Sequence, residues 1–134
     1  MYIEQLELFN FRGIKNQSFC FRGKSAVFFG VNGAGKSSIL QSICLLFLPL
    51  LRALTADRSK LSVNLSVDDI SFGASESRIA MQYVLGGGGG SFSRSIRKGA
   101  PRLVNRTSVE FFCDTFKREF LQDEKQNMPI FVNY

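Results

Sequence analysis

The run Gly30-Val31-Asn32-Gly33-Ala34-Gly35-Lys36-Ser37 constrains this chain more than any other. It satisfies G-x-x-x-x-G-K-[ST], and it lies between a compact apolar run (residues 25–29) and a stretch of helical spacing, the strand, loop and helix context that the pattern requires. Glycines let the backbone curl so that successive N–H groups converge, and the positive end of a helix starting near Lys36 adds its field, so an anion and above all a phosphate group is the expected guest. Lys36 is placed to reach the β- and γ-phosphates of a nucleotide as a cation, and the Ser37 hydroxyl to ligate a Mg²⁺ ion bridging the same oxygens. Ser38 completes the motif as a structural member. A glycine-rich turn serving only close packing would not need the Gly-Lys-Ser ending, so the binding reading is preferred.

Composition narrows the rest. A chain of 134 residues is sized for one domain, and 45% hydrophobic with 21% charged residues is globular rather than disordered. Three cysteines (Cys20, Cys44, Cys113) form no CxxC pair and His is absent, which excludes the common zinc sites and Ser-His or Cys-His catalysis. No catalytic residue is assigned. The start, MYIEQLELFNF, carries Glu4 and Glu7 where a signal peptide needs a basic end and an apolar stretch, so a cytoplasmic setting with reduced thiols is expected. The longest apolar run, residues 43–51, interrupted by Pro49, is about half of the roughly 18 residues a membrane span needs, so no membrane association is expected. A net charge of +6 weakly favours phosphate-bearing partners.

Periodicity orders the elements. Residues 2–9 and 18–21 read as antiparallel strands around a turn at Arg12-Gly13, and 25–29 reads as a strand buried on both faces. From Lys36 the spacing of Ile39, Leu40, Ile43, Cys44, Phe47 and Leu51 predicts a helix that Pro49 should kink or stop. The alternation Leu61, Val63, Leu65, Val67 suggests a further strand. A hairpin follows, with Ile79, Met81, Tyr83 and Leu85 facing Phe92, Arg94, Ile96 and Lys98 across a flexible glycine loop at 86–90. Thr107 and Glu110 form a capping box ahead of an amphipathic helix carrying Val109, Phe112, Cys113, Phe116 and Phe120, and 128–132 reads as a short strand. Tyr134, with neither cap nor polar tail after it, reads as a cut.

Two linked motifs carry a resemblance. The opening IEQLELFNFRGIKN with its N-F-R-G turn (Asn10, Phe11, Arg12, Gly13), followed by AVFFGVNGAGKSSIL, resembles the amino-terminal lobe of RecF/SMC/OLD-type ABC ATPases over about residues 1–48. The resemblance implies an α/β P-loop NTPase lobe of ABC-ATPase type, with an antiparallel β layer packed beside the P-loop strand and helix. It also implies ATP and Mg²⁺ as ligands, Arg12 and Asn10 near the nucleotide, and Asn32 beside the γ-phosphate. The binding set is then Gly30, Asn32, Gly33, Ala34, Gly35, Lys36, Ser37, Ser38, Arg12 and Asn10, with Ser37 the metal ligand. Against this, an Arg in a β-turn is usually solvated, and the two readings of Arg12 stand level.

Hydrolysis in such proteins needs a carboxylate pair after an apolar strand and a signature loop from a partner. Asp68-Asp69 is the one candidate pair, but LSVNLSV before it is no buried strand, and a turn or helix cap is preferred. LGGGGG at 85–90 is no signature loop. Residues 1–134 therefore read as one lobe of a longer ATPase that dimerises through a lobe outside them. Gln82 and Gln122 are possible counterparts of the family's Mg²⁺-contacting glutamine. The basic stretch Arg94, Arg97, Lys98, Arg102 and Arg106 could dock DNA, although a solvated strand edge is preferred. DNA repair, recombination or anti-phage defence is the expected setting. The rivals are an ATPase subunit of a membrane transporter, a small stand-alone nucleotide kinase or GTPase, and a non-catalytic interaction module.

Overall fold

A computed structural model describes residues 1–54, 64–99 and 106–120. Four antiparallel strands form a sheet in the order β2-β1-β3-β4, with β1 at Tyr2–Phe11, β2 at Ile14–Cys20, β3 at Glu76–Leu85 and β4 at Gly88–Arg97. Helices α1 (Lys36–Leu54) and α2 (Arg106–Phe120) pack on one face. The period-2 pattern explains which face. Leu6 and Leu8 of β1, Ile79, Met81, Tyr83 and Leu85 of β3, and Phe92 and Ile96 of β4 all turn inward, whereas Glu7, Arg78 and Gln82 turn outward. The Phe112 ring of α2 sits at the centre of this core, 4.6 Å from Tyr83, 4.9 Å from Phe92 and 6.0 Å from Phe47 between ring centroids. Val109, Cys113 and Phe116 bury with it, as the sequence stripe predicts; α2 starts at Arg106, so Thr107 lies inside its first turn rather than at the cap position expected of it, and the Phe120 side chain and residues 128–132 lie outside what is described.

Helix α1 departs from expectation in two ways. It runs unbroken through Pro49. A helical proline orphans the carbonyl four residues earlier, here Leu45, because it has no N–H to donate. The buried guanidinium of Arg94 on β4 supplies the missing donor, with Nη1 2.6 Å from the Leu45 carbonyl oxygen. The inward face also differs. Ile39, Ser42, Leu45, Leu46 and Leu50 are buried, whereas Leu40 is half-exposed and Ile43, Cys44 and Leu51 are only partly covered. The helix is apolar nearly all round, so hydrophobicity alone could not mark which side meets the sheet. Helix α1 is also long and apolar enough to cross a membrane by length and composition alone; in this fold its buried face is the core of the domain.

Three other expectations are corrected. Residues 25–29 form no strand, and Val27 (84% exposed) and Phe29 (91%) face solvent, because no strand among the described residues lies beside them to complete a ladder. Of the run 61–67, the described residues 64–66 are irregular and Val67–Asp69 is a 3-10 turn capped by Ser66, not a strand. The glycine run is built into the hairpin rather than looping out of it. Gly86 (φ +57°) and Gly87 (φ +82°) make a two-residue turn between Leu85 and Gly88, and Gly88 to Gly90 pair with β3. A Cβ on Gly90 would lie 2.5 Å from the Tyr83 hydroxyl, so the run also makes room for that ring.

Replacing Arg94 by Met should cost about 2 kcal/mol in chemical denaturation, since it leaves a buried carbonyl without a donor. Adding Pro49→Ala should recover part of this by restoring the N–H, and a single variant as stable as the parent would show that the Leu45 carbonyl needs no partner.

Candidate phosphate-binding site

The glycine-rich loop leads directly into α1. Ala34 N–H closes a turn on the Val31 carbonyl at 3.2 Å, and Ile39 N–H makes the first helical bond, to Gly35 at 3.0 Å. The N–H groups of Lys36, Ser37 and Ser38 are therefore the open donors of a helix N-terminus. Those of Gly33 and Gly35 likewise have no acceptor among the described residues. Gly33 (φ +85°) and Gly35 (φ +89°) hold left-handed conformations that a side chain would strain. Lys36 folds over this rim, its Nζ 2.8 Å from both the Gly30 and Val31 carbonyl oxygens. An ammonium group has three donors, so one remains for a ligand. Asn32, Gly33, Ala34 and Ser37 are exposed, and Ser38 is half-buried. Open amides, one ammonium and one hydroxyl suit an oxyanion.

The N-F-R-G turn abuts this loop. The Ile14 side chain lies 3.6 Å from where a Gly35 Cβ would be. Arg12 is anchored rather than loose in solvent: its side chain is one-third exposed, but its Nε donates to Asp69 Oδ1 at 2.9 Å and its Nη1 to Gln41 Oε1 at 3.1 Å. Gln41 stands four residues after Ser37 on α1, one helical turn along the same face, so the guanidinium is anchored one turn beyond the motif's hydroxyl. Asn10 and Arg12 both adopt positive φ (48° and 53°). The Asn10 carbonyl accepts from Ser71 N–H at 2.8 Å, and the structure records no contact between the Asn10 side chain and the loop.

Gln41 and Ser71 escaped sequence reasoning, whereas Asp69 is weighed there as half of a carboxylate pair and as a turn cap, with no partner foreseen in Arg12. The spacing of Gln41 from Ser37 was the available signal for one of them; nothing local marks Ser71. Asp69 does cap a turn as expected, accepting from Ser66 N–H at 3.0 Å, and among the described residues no metal-like carboxylate cluster surrounds it. Gln82 sits on the outer face of β3, across the sheet from α1, so it is withdrawn as a metal contact; Gln122 lies outside the described residues. Of the described members of the basic stretch, Arg94 is buried, whereas Arg97 and Lys98 are exposed, Arg97 pairing with Glu76 at 2.7 Å; Arg102 and the Arg106 side chain are not described. A shallow, open recess of about 340 Å³ lies beside the segment that enters the loop, lined by Tyr2, Lys24, Phe28, Leu40 and Ile43 among others.

An antiparallel sheet backing a core helix whose N-terminus carries the glycine-rich loop defines a P-loop NTPase lobe. The AAA domain family model matches residues 5–132, and the chain belongs to that family. Over 43 residues, 32% of this chain, it is 51% identical to the DNA replication and repair protein RecF of Francisella tularensis subsp. novicida (strain U112). The fold is similar to that of the recombination mediator protein RecF from the RecFOR pathway (TM-score 0.59, 19% identity, 78% of this chain and 26% of that one). It is also similar to a head from a study of ATP-driven dimerisation and DNA-stimulated activation of SMC ATPases (TM-score 0.56, 20% identity, 86% and 80%). The chain spans 12% of the length of the RecF relatives it matches. These likenesses bear out the fold class and the resemblance read from residues 1–48.

The cysteines stand apart from this site. Burial pushes the Cys113 and Cys44 thiols above their usual range, whereas Cys20 is exposed. Less thiolate at neutral pH means slower attack, so a thiol reagent at pH 7.5 should modify Cys20 first and Cys113 only on unfolding. Equal rates at all three, read by mass spectrometry of digested protein, would contradict this packing.

Proposed function

We propose that this chain binds ATP with Mg²⁺ through Gly30–Ser38. The observation that carries the reading is the set of loop amides without acceptors among the described residues, next to Lys36 at the start of a helix whose inner face is buried. Gly30, Asn32, Gly33, Ala34 and Gly35 supply the curl, Lys36 the cation, and Ser37 and Ser38 the helix-end donors, with Arg12 alongside. Mg²⁺, held through Ser37 Oγ, would neutralise charge on the phosphate oxygens. Asn10 enters this site only by holding the turn that presents Arg12.

The 134 residues contain neither a carboxylate pair after an apolar strand nor a signature-like loop, so we assign them binding rather than turnover. We further propose that the whole ATPase serves DNA repair or recombination, as the names of its RecF relatives indicate, with anti-phage defence a related possibility for this family. Dimerisation through a lobe outside this chain follows the SMC heads, and a cytoplasmic setting suits three unpaired cysteines. The transporter subunit and the stand-alone kinase or GTPase are less well supported, since neither accounts for the N-F-R-G turn packed on the loop.

Titration calorimetry of Mg·ATP should show binding by the chain and none by Lys36→Ala, with circular dichroism confirming the variant's fold; undiminished affinity in the variant would refute the site. The chain alone should turn over ATP far more slowly than about one per second, the lower end of ordinary enzyme rates.

A further inference from the structure

The segment 69–71 grips the N-F-R-G turn at four points. Arg12 N–H donates to the Asp69 carbonyl at 2.7 Å, Ser71 N–H to the Asn10 carbonyl, Ser71 Oγ to the Arg12 carbonyl at 2.5 Å, and Arg12 Nε to the Asp69 carboxylate. Asp69 thus holds Arg12 by main chain and side chain together. Its carboxylate is nine-tenths buried and is itself fixed by Ser66 N–H on the second oxygen.

This grip is asymmetric in a useful way. A guanidinium has five N–H donors. One goes to Asp69 and one to Gln41, leaving three with no acceptor among the described residues on a side chain that is one-third exposed. Gln41 sets that free edge one turn along α1 from Ser37, and Ile14, two residues after Arg12, touches the loop at Gly35. An exposed cation rarely keeps one geometry, because a long side chain loses rotamer freedom when fixed. Here two anchors have already fixed it, and a phosphate arriving at the loop's open end would meet donors in place.

We propose that Asp69 is a positioning residue of the nucleotide site: it aims the free donors of Arg12 at the terminal phosphate and so sets the preference for triphosphate over diphosphate. This rests on the ATP-binding reading above. The whole chain is titrated with Mg·ATP and Mg·ADP. Asp69→Ala should weaken ATP about tenfold, the loss expected of one charge-assisted bond, and leave ADP within about twofold. Ser66→Ala loosens the same cap without touching Arg12 and should leave the ATP to ADP ratio unchanged, which separates positioning from a merely structural role. In an Arg12→Gln background, Asp69→Ala should have no further effect on the ratio. Asp69→Asn serves should the alanine variant fail to fold. Equal losses for both nucleotides, an unchanged ratio, or tighter ATP binding on removing the carboxylate would each overturn the proposal while leaving the ATP site standing. A parent chain that binds neither nucleotide would overturn both.

Discussion

Burial of one face of α1 against β1 and β3 decides where everything at the site can be. Ile39, Leu46 and Leu50 meet Leu6, Leu8, Ile79 and Met81, and each such side chain contributes roughly 1.5–3 kcal/mol on leaving water. Ser42, fully buried on the same face, satisfies its hydroxyl on the Ile39 carbonyl at 2.6 Å and keeps that contact small. With the helix axis fixed over the sheet, its N-terminus and the loop before it have one position relative to the β1–β2 turn. The Arg94 bond at Leu45 serves the same end, since a helix broken at Pro49 would lose Leu50 from the core.

The second determinant is strain that the fold over-determines. The left-handed conformation at Asn10 is one asparagine tolerates more readily, while that at Arg12 costs on the order of 1–2 kcal/mol. A glycine follows immediately, yet Gly13 is not among the residues with positive φ and the turn falls on Arg12 instead. Contacts from Asp69 and Ser71 hold this arrangement, and the Phe11–Ile70 bridge closes it. Backbone strain maintained by so many contacts from a segment nearly sixty residues away is the pattern of a functional constraint rather than of a hairpin optimised for itself.

Legibility in the sequence followed the range of the interaction. The loop motif, the hairpin of β3 and β4, and the α2 stripe from Val109 to Phe116 depend on local periodicity and were readable. The passage of α1 through Pro49 was not, because its cause is a side chain 49 residues away on another element. Likewise Arg12 could be placed in a turn, but whether it met solvent, nucleotide or protein depended on Asp69, 57 residues on. The five glycines looked uninformative as composition; their meaning lay in two left-handed positions and in the volume of Tyr83. The basic stretch was legible only in part: exposed Arg97 and Lys98 fit the preferred reading of a solvated strand edge, but a charge count along the chain cannot see that Arg94 faces inward.

The misreading of residues 25–29 is the most instructive, because the sequence signal there was sound. Phe28 packs edge-on against Phe19 and Phe21 at 5.6 and 6.3 Å, while Val27, Phe29 and Val31 are more than three-quarters exposed, an alternation of covered and bare sides typical of extended backbone. Neighbouring exposed apolar side chains of this size are uncommon on a finished surface. Among the described residues the loop is therefore held from one side only, by α1, Ile14 and the turn that presents Arg12. That makes the contacts on this side, rather than any strand beside residues 25–29, the ones that set the loop's geometry here, and through Arg12 and Gln41 they tie the distant Asp69 to α1 near its start.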